Sequence, residues 1–134
     1  PTSPLRDNND IDSALALMLN KNTASAVMSV YEPSHHPFKS LKYNANGYLR
    51  GIVNNNYLFM PRQNLPRGFT ANGAIYAIYT KNFLKNHCLL TRKTLPFVMP
   101  AKKSVDIDTL ADLKEAEKEL ASFLGHAVHS KEKQ

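Results

Sequence analysis

The chain has 134 residues, 43% of them hydrophobic, and a net charge of +6. That is one ordinary domain's length, enough to bury a core without disulfides or a structural metal, and too apolar for wholesale disorder. No apolar run approaches the roughly 18 residues of a membrane span, and the single cysteine, Cys88, excludes a disulfide framework and a cysteine-based zinc site.

Pro1 and Pro4 keep residues 1–6 out of a helix. Asp7, Asn8 and Asn9 offer an N-cap. Ile11, Leu15, Met18 and Leu19 then share one face of a helix ending near Asn20. Ser25–Tyr31 (SAVMSVY) is short, apolar and bounded by polar turns, which predicts a buried strand. Helix followed by strand is half of an α/β unit. Pro33 and Pro37 break the chain around His35 and His36, and Leu41–Val53 predicts a hairpin with Asn46-Gly47 in its turn. Residues 54–68 carry little periodicity and read as an arm or loop at an interface. Tyr57, Leu58, Phe59 and Met60 are its apolar groups. Gly73–Tyr79 (GAIYAIY) predicts a second buried strand, Lys81–Asn86 a short helix, and Leu95–Met99 a third strand stopped by Pro100. Thr109 and Asp112 form a capping-box pattern. They open a last helix with Leu110, Leu113, Ala116, Leu120 and Leu124 as its apolar stripe and Gly125 as its stop. Residues 126–134 read as a polar tail.

Charge is unevenly placed. Residues 1–32 hold two bases against four acids, a net of −2. Residues 33–105 hold eleven bases and no acid, and residues 106–134 hold four bases against seven acids. A field of that sign attracts anions. A solvated basic surface, a nucleic-acid face and a small polyanionic ligand all fit it. The bases are scattered, however, and no nucleic-acid motif is visible.

Asp106 and Asp108 are the first acids after this stretch. If they continue a strand, they point to one side roughly 6.5–7 Å apart while Ile107 turns inward. Two such carboxylates suit a hard cation completed by water and phosphate oxygens. The alternative is that Asp108 caps the helix and Asp106 is solvated. His35 and His36 read as loop histidines, His126 and His129 as incidental, and Cys88 as a buried thiol. Lys39, Arg62 and Arg67 have the chemistry to grip a carboxylate or phosphate, arginine with two parallel bonds.

Four segments, in order, resemble the acylneuraminate cytidylyltransferases, the CMP-sialic acid synthetases. They are PTSPLR (residues 1–6), HHPFKSL (35–41), PRQNLPRGFTANGAIY (61–76) and SVDIDTLADLKEAE (104–117). The resemblance implies an α/β, Rossmann-like nucleotide-sugar-transferase sheet with a β-hairpin and arm that dimerises. Core parts then lie at 1–34 and 73–125, the dimerisation insert at 35–72 and a flexible tail at 126–134. It implies transfer of CMP from CTP to the anomeric hydroxyl of N-acetylneuraminate or a related nonulosonic acid, with loss of pyrophosphate. The partners it implies are CTP, a nonulosonic acid and a second copy in a homodimer, with no nucleic acid and no membrane, in the cytoplasm. Asp106 and Asp108 would hold Mg2+ and serve catalysis. Lys39 and Arg62 would meet the sugar carboxylate or phosphate charge, Asn72 and Tyr76 would line the sugar site, and Leu89 and Leu90 match a hydrophobic pair that one subunit lends to the other's N-acyl pocket. The family's first strand and glycine-rich triphosphate loop have no counterpart here. The chain therefore resembles the C-terminal portion, expected to be inactive alone. The same chemistry on legionaminate or pseudaminate, and a non-catalytic dimerising fragment, are the alternatives.

Overall fold

The computed structural model describes residues 2–131, with side chains described up to residue 124. The chain forms two compact units, one of Pro1–Tyr31 with Ala71–Gln134 and one of Glu32–Thr70.

The first unit is α/β. Helix α1 (Asn8–Asn20) opens on a reciprocal cap: the Asp7 carboxylate accepts from the Asp10 amide and the Asp10 carboxylate from the Asp7 amide, each at 3.0 Å. This satisfies two of the donors that a helix N-terminus leaves unpaired. Strand β1 (Ala26–Tyr31) is the middle of a three-stranded sheet, between β4 (Thr70–Ile78) and β5 (Thr94–Val98). β1 and β5 are parallel, Ala26 facing Thr94 and Val30 facing Val98. Hydrogen bonds join Tyr79 to Ser25 and Ile75 to Ser29, so β4 runs antiparallel to β1 and the sheet is mixed. Central position explains the β1 sequence: Ala26, Val27, Ser29 and Val30 are buried, as a strand covered on both faces requires. Ala14 and Met18 of α1 pack with Val27, Ala74, Ile75 and Met99 into the core.

After β4 come a short helix, α2 (Thr80–Asn86), and then β5; α2 is closed by His87 in the left-handed conformation. Beyond β5 a 3-10 turn at Ala101–Lys103 leads to α3 (Leu110–Lys131). The expected capping box is present. Asp112 accepts from the amide and hydroxyl of Thr109, and Thr109 Oγ1 accepts from the Asp112 amide.

Four expectations need correction here. Helix α3 does not stop at Gly125 but continues through residues 126–131 of the supposed tail, because one glycine costs a helix only about 1 kcal/mol; residues 132–134 lie outside the described residues. The core-facing side of α1 is Ala14 and Met18, not the larger stripe, since Ile11, Leu15 and Leu19 are exposed. Of the α3 stripe only Ala116 is buried. Cys88 is exposed, its thiol donating to the Leu90 carbonyl.

The second unit is built on a hairpin, β2 (Leu41–Tyr43) against β3 (Leu49–Gly51), antiparallel. Its turn is a three-residue loop, Ala45-Asn46-Gly47. Asn44 and Tyr48 close it with a 2.8 Å bond, and the Asn44 carboxamide oxygen accepts from the amides of Asn46 and Tyr48. Gly47, at φ +80°, supplies the left-handed residue that this loop type requires. The arm that follows is ordered by 3-10 turns at Asn55–Leu58 and Arg62–Asn64. Tyr57 stacks on Phe38 at 5.5 Å, whereas Phe59 stays 87% exposed.

Candidate functional site

Within the first unit, three of the four segments singled out in the sequence meet at the carboxyl end of the parallel pair β1 and β5. Asn72 is the hub and is buried. Its side-chain oxygen accepts from Ser29 Oγ at 2.6 Å, and its amide nitrogen donates to Ser104 Oγ at 2.9 Å. Its backbone carbonyl accepts from Ser3 Oγ at 2.8 Å. Thr2 adds a second tie, its carbonyl accepting from the Ile107 amide at 2.7 Å. Residues 2–3, 72 and 104–107 are thereby held as one body, at the end of the sheet where open α/β folds bind ligands.

Gly73 shows how tight this is. Its φ is +72°, and a Cβ there would sit 2.9 Å from Ser3 Oγ and 3.9 Å from Asp106 Oδ2. The Asp106 carboxylate therefore stands beside the backbone of the hub. Asp106 and Asp108 do not continue a strand: β5 ends at Val98, and Pro100 and the 3-10 turn intervene. They are exposed on either side of a half-buried Ile107. Neither carboxylate has an ion-pair partner among the described residues. Asp108 is not the helix cap, because Thr109 takes that position and Asp112 accepts from the Asp108 amide. Both carboxylates are thus left with their oxygens open to a cation. No group of three or more His, Cys, Asp or Glu able to hold a metal exists among the described residues. Mg2+ asks for less, since one or two carboxylates with water and phosphate oxygens complete its shell. The donor set fits.

Beside this end of the sheet, Lys103 bridges Asp7 and Asp10 at 2.7 and 2.9 Å. The bond from Lys103, with that from the Asp10 amide, holds the Asp7 carboxyl below its usual range. The same contact with Asp7, reinforced by Asp10, raises the lysine. Lys103 is therefore occupied in pinning the start of α1, not free for a ligand.

In the second unit, the remaining segment and the start of the third close on each other. Arg62 donates to the carbonyls of Ser34 and Pro33 at 2.8 and 3.1 Å. His36 accepts from the Phe38 amide on Nδ1 and places Nε2 3.1 Å from the Pro66 carbonyl. Only the tautomer protonated on Nε2 satisfies both, so this ring is a structural clamp. Two adjoining cavities result. One, of about 310 Å³, is lined by Ser34, His35, Lys39 and Arg62. The other, of about 150 Å³, is lined by Glu32, His36 and Arg67. Arg67 is engaged by Glu32, which holds that carboxyl low, and lies over the Phe69 ring. Among the described residues Lys39 has no such partner.

The other sequence-predicted residues are more dispersed. Tyr76 is 44% exposed on β4, and Leu89 and Leu90 are exposed after α2. Residues 3, 29 and 104, which position Asn72, escaped the sequence reading. Their one signal was an asparagine inside an otherwise apolar strand. No protein-family model matches the chain. No helix among the described residues is long and apolar enough to cross a membrane.

Proposed function

We propose that the chain is the C-terminal part of a nucleotidyltransferase of the acylneuraminate cytidylyltransferase type, with a Rossmann-like sheet, acting in a homodimer. One observation carries this reading. Three separated segments that resemble that family are tied together around Asn72, and the carboxylate of Asp106 stands beside that hub with exposed Asp108 two residues on.

In the reaction, the anomeric hydroxyl oxygen of a nonulosonic acid attacks the α-phosphorus of CTP. A new P–O bond forms, the bond to the β-phosphate bridging oxygen breaks, and pyrophosphate leaves as the hydroxyl proton is lost. Mg2+, when bound, neutralises charge building on the phosphates. Asp106 and Asp108 are the residues that would hold it. The rigid hub fixes where Asp106 stands, which matters because misplacement by about 1 Å can cost a hundredfold in rate. Lys39 and Arg62 attract the sugar carboxylate. Arg62 is held by the Pro33 and Ser34 carbonyls, so its position is set before a ligand arrives. Tyr76, Leu89 and Leu90 remain our candidates for walls of the sugar site; Asn72, expected to line it, is buried with both side-chain polar atoms bonded to Ser29 and Ser104, and its role in this reading is to hold the backbone beside Asp106.

The test is pyrophosphate release by the complete polypeptide that carries this span, with CTP, Mg2+ and, in separate arms, N-acetylneuraminate, legionaminate and pseudaminate. Turnover with one of the three, abolished in Asp106→Asn while the fold persists, supports the reading. Absence of release with all three, or full activity in Asp106→Asn, overturns it.

A further inference from the structure

Another charged concavity lies in the first unit, at the opposite end of β1 from the Asn72 hub. Two basins of about 620 and 570 Å³ share Ser25, Asn82 and Lys93. The first also takes in Lys85, Asn86 and Arg92, and the second Lys81. No carboxylate lines either basin.

Among the described residues, bases without an ion-pair partner occur elsewhere in this unit, at Arg6, Lys21 and Lys114, but here four border one hollow with no carboxylate in its lining. Lys102, Lys103 and Lys118 each reach a carboxylate. Lys85, Arg92 and Lys93 have no ion-pair partner among the described residues, and Lys81 has only the Tyr79 ring, 5.9 Å from its nitrogen. Neighbouring bare cations raise one another's energy, and an anion between them relieves it.

The floor beneath them is built. Ser25 Oγ and Thr91 Oγ1 are 2.6 Å apart. The Thr91 hydroxyl also accepts from the Lys93 amide at 3.1 Å, and the Ser25 amide donates to the Lys93 carbonyl at 3.0 Å. The Tyr79 amide then donates to the Ser25 carbonyl at 3.2 Å, and the Asn82 amide to the Tyr79 carbonyl at 2.8 Å. This chain of bonds fixes the strand start, the β5 approach loop and the first turn of α2 against one another. The cations of both loops are therefore held around one hollow. Asn82 and Asn86 add neutral amide donors.

We infer that this concavity is a binding site for a small oligophosphate, the pyrophosphate or nucleoside triphosphate class, separate from the site proposed above. Several point charges spread over two joined basins match an anion whose charge is spread over two or three phosphoryl groups. Arg92 offers a two-pronged contact and the lysines offer mobile point charges. Leu90, a candidate wall of the sugar site, also borders the first basin, but the reading does not rest on the cytidylyltransferase assignment, since none of the cations or amides named here takes part in it.

The probe is tripolyphosphate, titrated into the full chain by calorimetry, with amide chemical shifts followed by NMR in parallel. The expected result is saturable binding that shifts the amides of Ser25, Asn82 and Lys93. Lys85→Ala with Arg92→Ala should weaken it about tenfold or more, as the loss of charge-assisted contacts requires, while Lys39→Ala leaves those shifts and that affinity in place. The shift map of the unaltered chain keeps the test valid if the double variant folds poorly. Absence of saturable binding, or shifts confined to residues 34–40 and 62, overturns the proposal. So does binding of a single-stranded oligonucleotide whose affinity rises with length while tripolyphosphate fails to compete, because that marks an open nucleic-acid track.

Discussion

Asn72 accepts a hydrogen bond from Ser29 at 2.6 Å across the β4–β1 seam, and both side chains are fully buried. Such a pair confers order only while every member is satisfied. Asn72→Leu removes the acceptor for Ser29 and for the Ala74 amide, and the donor to Ser104. It should cost about 2–4 kcal/mol of stability, the range for stranding buried polar groups. Urea unfolding checks this. A loss below about 1 kcal/mol would show that the hub is not a structural centre.

The Lys103 bridge makes stability depend on pH in two directions. Asp7 is held below its usual range, so its contribution is present above the unfolded carboxylate value of about 3.9 and fades as acid protonates it below that. Lys103 is raised, so its contribution is full below about 10.4 and fades as alkali passes the raised value. Half of the Asp7 side chain is in solvent, which limits the effect. Lys103→Met should lower stability at pH 7 by about 1 kcal/mol. Its penalty should shrink below pH 3 relative to neutral pH. Thermal melts of both proteins at about pH 2 and at pH 7 decide it, and an equal penalty at the two values would count against the bridge.

Gly73→Ala faces a double obstacle, a φ of +72° and a Cβ placed 2.9 Å from Ser3 Oγ. The expected cost is about 1–3 kcal/mol. Adding Ser3→Gly should recover the part due to crowding but not the part due to φ. Differential scanning calorimetry on both variants separates the two, and a neutral Gly73→Ala would mean that the segment relaxes freely.

Under the proposed function, Arg62 and Lys39 should divide from Arg50 in the kinetics of the complete polypeptide. Arg62→Lys keeps the charge but loses the planar fork that reaches Ser34 and Pro33, so under the proposed function kcat/KM for the sugar acid should fall by about one to two decades with that for CTP nearly kept. Lys39→Ala should behave likewise. Arg50→Ala, in β3 and away from both cavities of that unit, should be nearly silent. Equal losses for both substrates, or a large effect at Arg50, would mean that the basic stretch acts as a diffuse field.

Local physics made much of this molecule legible in its residues. The Asp7 and Thr109 caps, the short buried β1, the Gly47 turn and the break at Pro100 depend on neighbours within a few positions, where backbone geometry and nearest hydrogen bonds decide. The charge asymmetry was readable for the same reason, since it is composition along the chain. What needed the tertiary structure was pairing over distance. Nothing in the spacing of Ser3, Ser29, Asn72 and Ser104 announces that they meet, because a buried polar group is satisfied by whichever partner the fold brings near. Periodicity marked Ile11 and Leu15 as apolar but not which side of α1 the sheet would cover, and close packing chose the small Ala14. Likewise the residue types named Arg62 and Arg67 alike as anion grips, and only folding set one on backbone carbonyls and the other on Glu32.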